Sequence, residues 1–204
     1  MRVAAVVLAA GGSTRFGKPK QFALFEGETF VRRIARAAIE AGCAPVVVVT
    51  GEDSAQITSE LTRFTVSIAM NPCWSRGVGS SIRVGVQRAM DLEADLDASL
   101  LLSCDQPFVT AAVLAQLIQL RLISGKPIVA SAYATTLGIP ALFDRSCFPD
   151  LLRLKGDRGA KGIILARPQD VASFDFPAGE IDIDTAADYE ELDQPLAADG
   201  TRLG

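Results

Sequence analysis

Residues 6–22 read VVLAAGGSTRFGKPKQF, and they join an apolar run to a loop suited to phosphate. The run ends in a glycine pair, and one arginine and two lysines follow within ten residues. A standard phosphate loop, G-x-x-x-x-G-K-[S/T], needs a hydroxyl after its lysine to bind Mg²⁺. Here Pro19 follows Lys18, and proline has neither a hydroxyl nor an N–H group. The segment therefore predicts a buried strand and then a glycine turn with free amides and basic side chains. An exposed basic loop whose glycines serve only the turn is the alternative.

Apolar runs alternate with helical patterns along most of the chain. Five runs predict buried strands, since most lack polar alternation: 3–9, 45–51, 64–70, 98–104 and 127–132. Four segments between them show helical spacing: 29–42, 52–63, 79–91 and 110–125. Gly42 and Gly125 are placed to end helices, and Thr110 is placed to cap one. This alternation predicts an α/β fold with a doubly wound, mostly parallel sheet. We find no linker, and expect one domain over residues 1–191 with a polar tail over 192–204.

The composition excludes several kinds of chemistry and of partner. The chain has no histidine, which removes histidine-dependent hydrolase triads and histidine-bound metals. Catalysis must then rest on carboxylates, lysine, arginine, hydroxyls, backbone groups or a metal held by oxygen. The net charge of −4 argues against general nucleic-acid binding, which needs a basic surface excess. No segment approaches the ~20 apolar residues that span a bilayer, so we expect no membrane partner.

The cysteines and the start of the chain bear on the cellular compartment. Cys43, Cys73, Cys104 and Cys147 are widely spaced and form no C-x-x-C pair, so a zinc or redox motif is not supported. The start MRVAAVVLAAGG imitates a signal peptide, but it continues into STRFGKPKQ rather than a cleavage site. We therefore expect reduced thiols in a cytoplasmic protein.

Polar motifs follow three of the predicted strands. LAAGGSTRFGKPKQ follows the first strand, NPCWSRG follows the third, and CDQP follows the fourth. Ligands of doubly wound sheets bind beyond the carboxyl ends of the strands. We therefore expect the three motifs to cluster at one edge of the sheet.

The first of these motifs also carries a resemblance to a known family. LAAGGSTRFGKPKQ resembles L-A-[AG]-G-x-[SG]-x-R-[MF]-G with a lysine shortly after, the signature loop of nucleotidyltransferases with a single Rossmann-like domain of the nucleotide-diphospho-sugar transferase type. In that family the loop wraps the triphosphate of an NTP. The resemblance implies catalytic roles for Arg15 and Lys20 in neutralising phosphate charge. It also implies nucleotide binding along the loop, at Leu8, Ala9, Ala10, Gly11, Gly12 and Ser13. With alanine at position 10 the loop resembles that of cytidylyltransferases, whereas guanylyltransferases usually have glycine at this position.

The same resemblance implies a Mg²⁺ site. Asp105 lies just past the fourth predicted strand, and the family would make it a catalytic residue and the principal metal ligand. Taken alone, Asp105 could merely cap the following turn. EIDIDTAADYEEL resembles the family's D-I-D-T-P-x-D ending, with Ala186 where proline is usual. An alternating strand there puts Asp182 and Asp184 on one face, and we expect Asp184 to be the second ligand. The residues that follow also fit a helix-capping box, which would make one of these residues structural.

The stretch 71–82, NPCWSRGVGSSI, is similar to N-x-x-W-x-x-G-x-x-x-S in the same proteins. There it lies against the nucleotide and the acceptor, which implies nucleotide binding by Asn71, Gly77 and Ser81. The alternative is an ordinary strand-to-helix turn with Trp74 in the core.

Residues 138–166, GIPALFDRSCFPDLLRLKGDRGAKGIILA, resemble the molybdenum cofactor cytidylyltransferases, which are related to the molybdenum cofactor guanylyltransferases. The part GDRGAKG predicts a glycine loop that opens onto a helix, whose N-terminus would attract an anion. A phosphorylated acceptor would fit there, beside Asp157, Arg158, Gly159 and Lys161. A helix start with solvated charges is the alternative.

The resemblance implies transfer of CMP from CTP to the terminal phosphate of molybdopterin, carrying molybdenum, with Mg²⁺ as cofactor and release of pyrophosphate. The implied partners are CTP, a phosphorylated pterin and the molybdoenzyme that receives the product. Two alternatives stay open. One is a nucleotidyltransferase for a sugar phosphate or another phosphorylated alcohol, and the other is a molybdopterin-binding chaperone without catalysis.

Overall fold

The computed structural model describes residues 1–11 and 19–181. In chain order its strands are β1 (Val3–Ala9), β2 (Leu24–Phe25), β3 (Glu28–Thr29), β4 (Val46–Thr50), β5 (Ser67–Met70), β6 (Ala98–Ser103), β7 (Ile128–Tyr133), β8 (Thr136–Asp144) and β9 (Val171–Asp175). Its α-helices are α1 (Phe30–Glu40), α2 (Ser54–Glu60), α3 (Val78–Leu92), α4 (Ala111–Ser124), α5 (Phe148–Leu151) and α6 (Lys161–Ala166). Short 3₁₀ turns join several of these elements.

The central sheet has the strand order β5-β4-β1-β6-β8-β7-β9, and β2 pairs with β3 in a separate hairpin. Six of the seven strands run in the same direction and β8 runs against them. From β1 the chain moves outward to β4 and β5 and then returns to β6 on the other side of β1. The order therefore reverses between β1 and β6, and a crevice for ligands is expected beyond the carboxyl ends of these two strands.

Alternate residues of β1 pack into two cores on the two faces of the sheet. Val3, Ala5 and Val7 belong to one core, where they pack with side chains of α1, α2 and α4. Ala4 and Val6 belong to the other core, with side chains of α3, α5 and α6. Because both faces are covered, the parallel strands need apolar residues at every position, which is why they lack polar alternation.

The predicted α/β fold with a doubly wound, mostly parallel sheet is confirmed. All five predicted strands and all four predicted helices are present, with ends that differ by up to three residues. The sequence prediction missed β8 and β9 of the central sheet and the short β2–β3 hairpin. Strand β8 contains Pro140, which argues against an interior strand because proline cannot donate to a ladder. In the structure the pairing with β7 shifts register next to Ala130, and the proline lies at that irregularity. The predicted domain end at residue 191 lies outside the described residues.

Each of the four cysteines is free of a disulfide. Within residues 1–11 and 19–181 the helices are too short or too polar to cross a membrane.

Candidate active site

A cleft of about 370 Å³ lies at the carboxyl edge of the sheet, beyond β1 and β6. Its size is within the range of small-molecule sites. Three segments that the sequence predicted to meet contribute to its wall: the end of β1, the segment between β5 and α3, and the end of β6. Seven residues with predicted site roles line it, namely Leu8, Ala10, Gly11, Lys20, Gly77, Ser81 and Asp105. The expected clustering of the three motifs at one edge is thus present in the fold.

An ion pair between Lys20 and Asp105 lies in this cleft. Lys20 Nζ bonds to Asp105 Oδ2, and the two side chains are 14% and 16% exposed. Ser103, at the end of β6, donates its hydroxyl to Asp105 Oδ1. Both carboxylate oxygens therefore have partners, and a largely buried negative charge has a cation beside it. Sequence reasoning gave no role to Ser103, the last residue of a mostly apolar strand.

Gln21 brings Lys20 back to the end of β1. Its side chain is 1% exposed, and Nε2 donates to Ala9 O and Gly11 O, each at 3.0 Å. Lys20 and Gln21 belong to one 3₁₀ turn, so these two bonds hold that turn against the carboxyl end of β1. Ala9 is 1% exposed and takes part through its main-chain oxygen. Gln21 was part of the quoted motif, but its role was not predicted.

Five predicted site residues fall outside the described part of the chain. They are Gly12, Ser13 and Arg15 in the loop after β1, and Asp182 and Asp184 near the C-terminus. Their roles remain predictions from the sequence.

Asn71 lies behind the cleft rather than on its surface. It is 2% exposed, and its Nδ2 donates to Ser80 Oγ at 2.8 Å and to Ser81 Oγ at 3.0 Å. Its Oδ1 accepts from Cys73 N at 3.0 Å. The amide is therefore used within the protein, and the nucleotide contact of Asn71 remains a prediction from the sequence. Asn71 also holds Ser81, which lines the cleft.

Gly77 makes the turn that starts α3, and only glycine fits there. Its φ is +103°, and a Cβ atom would lie 2.4 Å from Asp157 Oδ1 and from Gly156 C. Two residues later, Gly79 N donates to Gly156 O at 3.0 Å. The segment around Asp157 is therefore packed against the first turn of α3. This contact brings the predicted acceptor loop next to the predicted nucleotide segment.

The acceptor loop differs from expectation in one respect. Helix α6 has only six residues, fewer than two turns, so a helix dipole contributes little attraction for an anion. Arg158 and Lys161, whose side chains are exposed, add positive charge beside it. Gly159 is partly buried beside Val78. Residues 157–161 are not part of the cleft wall itself.

Trp74 and Cys104 are also part of the cleft wall. Trp74, which one alternative put in the core, packs on the edge of the second core and also lines the cleft. Burial raises the pKa of the Cys104 thiol to about 12. The Cys104 thiol is therefore protonated near neutral pH and is not a nucleophile.

The family to which the chain belongs follows from comparison with protein families. The family of the MobA-like NTP transferase domain matches residues 5–171. The chain is a member of the MobA-like NTP transferase domain family. That family places it among the nucleotidyltransferases, and the matched residues include every element that forms the cleft.

Relatives of this MobA-like domain cover nearly its whole length. Nicotine blue oxidoreductase of Paenarthrobacter nicotinovorans is 28% identical, with 94% of each chain aligned. The purine catabolism protein PucB of Bacillus subtilis (strain 168) is 27% identical, over 94% of this chain and 96% of PucB. The crystal structure of Rv0371c from Mycobacterium tuberculosis H37Rv is 28% identical with a TM-score of 0.78, over 94% of this chain and 97% of that one. A further crystal structure is of Rv0371c in complex with manganese.

The donors in the cleft of the MobA-like domain suit a hard divalent cation. Asp105 offers a carboxylate and Ser103 a hydroxyl, so the available ligands are oxygens. Residues 1–11 and 19–181 contain no group of three or more acidic, cysteine or histidine side chains able to hold a metal. Mg²⁺ commonly binds through one or two carboxylates together with substrate phosphates and waters. The oxygens of Asp105 and Ser103 therefore fit a divalent cation such as Mg²⁺ or Mn²⁺.

Proposed function

We propose that the protein is a Mg²⁺-dependent cytidylyltransferase that transfers CMP from CTP to the terminal phosphate of molybdopterin carrying molybdenum. The observation that carries the proposal is the Lys20–Asp105 pair in the cleft between β1 and β6. A cation and a carboxylate side by side supply a phosphate contact and a metal ligand in one place. CTP as the donor rests on Ala10, and the pterin acceptor rests on the likeness of residues 138–166.

The reaction needs little proton chemistry. The terminal phosphate of the acceptor is already a nucleophile, so it attacks the α-phosphorus without a general base. The bond to the β-phosphate breaks, and its electron pair leaves with pyrophosphate. Such transfers depend mainly on positioning and on stabilising charge, which suits a chain with no histidine.

Each residue of the site has a stated task in this proposal. Lys20 and Arg15 donate to phosphate oxygens and offset the charge that grows on pyrophosphate. Asp105 would hold the metal together with Asp184 or Asp182, and Ser103 orients the Asp105 carboxylate. Mg²⁺, when bound, supplies charge neutralisation and orients the α-phosphate. Arg158 and Lys161 would meet the phosphate of the acceptor.

The test is incubation with molybdenum-loaded molybdopterin, Mg²⁺ and each NTP in turn, followed by product mass and pyrophosphate release. We expect a cytosine dinucleotide from CTP alone. Pyrophosphate release with a sugar phosphate but not with the pterin would move the function to another acceptor. Pterin binding without consumption of CTP would make the protein a chaperone. Turnover with a redox cofactor and no pyrophosphate from any NTP would overturn the proposal and favour the activity named for the Paenarthrobacter relative.

A further inference from the structure

Arg33 lies in the first turn of α1, and only 15% of its side chain is exposed. It contacts two segments that are far apart in the sequence. Its Nε donates to Pro107 O at 3.0 Å, in the loop that follows β6. Its Nη1 lies 2.8 Å from Glu26 Oε2, in the turn between β2 and β3. Its guanidinium carbon lies 4.6 Å from the centre of the Phe25 ring, which is a cation–π contact. One side chain thus joins the loop after β6 to the β2–β3 hairpin.

Aromatic side chains extend this connection. Phe30, the first residue of α1, is 1% exposed, and Ala23, Phe25 and Phe108 pack against it. The rings of Phe25 and Phe108 are 5.6 Å apart and meet edge to face. The hairpin and the loop after β6 therefore share a third, small apolar cluster, and Arg33 covers one of its rings.

Both members of the cleft ion pair are close in sequence to the segments that Arg33 joins. Ala23 N donates to Lys20 O at 3.0 Å, and Phe30 N donates to Ala23 O at 3.0 Å, so the turn of Lys20 is fixed to the start of α1. On the other side, Pro107 is two residues beyond Asp105. Lys20 and Asp105 are 85 residues apart in the chain. Arg33 provides a direct link between the two segments that carry them.

The turn that contains Glu26 has an unusual main chain. Glu26 has a φ of +52° and Gly27 a φ of +79°. Two-residue hairpin turns can require positive φ at both central positions, where asparagine or aspartate before glycine is preferred. Glutamate is disfavoured in this region, yet here its carboxylate meets Arg33. Because the Glu26 side chain is 65% exposed, solvent weakens this ion pair, and the contacts to Pro107 and Phe25 form the stronger part of the link.

We propose that Arg33 is a positioning residue of the cleft, which keeps Lys20 paired with Asp105 by clamping the β2–β3 hairpin to the loop after β6. Arginine suits this task because its planar group can stack on a ring while its N–H groups point to two acceptors. The importance of the clamp for catalysis rests on the proposed function, whereas its effect on the ion pair does not. Arg33 itself is not part of the cleft wall.

The experiment measures how well Lys20 is shielded, by brief labelling with acetic anhydride and mass spectrometry. The reagent attacks an accessible free amine, so an ammonium group that is paired and 14% exposed reacts slowly. A hydrogen bond from a charged donor is worth a factor of about ten or more in an equilibrium constant. We expect Arg33→Met to label at Lys20 about 3–10-fold faster than the parent protein, since part of this effect reaches the ion pair. Arg33→Lys, which keeps the charge but not the planar group, should fall between the two.

Two further variants calibrate the measurement. Asp105→Asn removes the ion pair itself and should give the fastest labelling of Lys20. Arg36→Met is the matched control, because Arg36 is on the same helix and bonds to Glu28 of the same hairpin and to Glu40. It should lose ion pairs and some stability but label at Lys20 like the parent protein. Lys126, which is exposed and lies outside the cleft, is the internal reference in each sample.

The outcomes separate this inference from the proposed function. Parental labelling of Lys20 in the Arg33 variants would overturn the positioning role and leave the transferase proposal standing. Equal acceleration in Arg36→Met would also overturn it, because any loosening of α1 would then suffice. Unchanged labelling in Asp105→Asn would overturn it as well, since the pair would not shield Lys20 in solution. If Arg33→Met unfolds, Arg33→Lys decides by the same measurement. Faster labelling in the Arg33 variants, with no pyrophosphate release from any NTP by the parent protein, would support the clamp and remove the transferase alone.

Discussion

Replacing Lys20 with methionine should tighten the binding of a divalent cation to the protein when no nucleotide is present. In the structure Lys20 occupies Asp105 Oδ2, one of the oxygens that a metal would use. A metal must displace this ammonium group or bind close to it. Since both are positively charged, Lys20 competes with the cation until a triphosphate offers the ammonium group another partner.

The size of the effect follows from the ion pair. Two unit charges about 4 Å apart attract by about 4 kcal/mol at an effective dielectric constant of about 20. The side chains are only 14% and 16% exposed, so solvent screens the pair weakly. Desolvation offsets part of the attraction, which leaves a net coupling of about 2 kcal/mol. That free energy corresponds to roughly 30-fold in a binding constant.

The assay is titration with Mn²⁺, followed by the signal of free Mn²⁺ in electron paramagnetic resonance, with and without CTP. Without CTP we expect Lys20→Met to bind Mn²⁺ about 30-fold more tightly than the parent protein. With CTP the order should reverse, because the variant has lost a contact to the triphosphate. In the parent protein CTP and Mn²⁺ should each raise the affinity for the other by the same factor, as linkage requires.

Lys126→Met is the control for loss of a lysine. Lys126 Nζ donates to Gln169 O on an exposed surface, and Lys126 is not part of the cleft. This variant should bind Mn²⁺ like the parent protein. Weaker or unchanged Mn²⁺ binding by Lys20→Met without nucleotide would refute the competition between Lys20 and the metal.

Three further predictions follow from the structure. Asp105→Asn should lower CTP turnover by about 10²–10³-fold with an unchanged circular dichroism spectrum, and parental pyrophosphate release would contradict its role. Gly77→Ala should cost about 3 kcal/mol, and so lower the Tm by about 6–12 °C, because of its positive φ and the atoms 2.4 Å from its Cβ position. Gly162→Ala, with open space around it, should leave the Tm unchanged or raise it. Burial alone would raise the pKa of Asp144, but hydrogen bonds from a main-chain N–H and from Arg121 hold it below its usual value. This contribution to the free energy of unfolding is present above about pH 3.9 and is lost as the pH falls below it. In urea denaturation the free energy of unfolding of Asp144→Asn should therefore fall less between neutral and acidic pH than that of the parent protein.

Local patterns in the sequence predicted the fold and the main wall of the cleft. Apolar runs without polar alternation predicted the parallel strands, and the polar residues after β1 and β6 could be assigned to one edge by the topology rule alone. Strand β8 was missed because Pro140 contradicts the usual pattern of a sheet interior. The irregular pairing next to Ala130 that accommodates it depends on β7 and has no local signal in the sequence.

The residues that hold the site in place were harder to predict than those that line it. Gln106 bonds to carbonyls 33 and 73 residues away, so this connection depends on contacts that only the folded chain makes. Asn71 has a motif position that suggests ligand contact, yet its amide is used by two serines of α3. A sequence motif shows which residue type occurs at a position, but it does not show whether that side chain contacts the ligand or the protein.

The residues that line the cleft and those that hold it in place contribute to the proposed catalysis in different ways. Lys20 and Asp105 carry charge, so in the proposed reaction they would act directly on phosphate and metal. Gln21, Asn71 and Gln106 carry no charge. Gln21 and Gln106 donate to main-chain carbonyls, and Asn71 donates to the hydroxyls of Ser80 and Ser81. Because the reaction depends on geometry and charge rather than on proton transfer, both groups are needed. In this proposal the buried amide of Gln21 matters as much as the charges, because it holds the turn of Lys20 at the carboxyl end of β1.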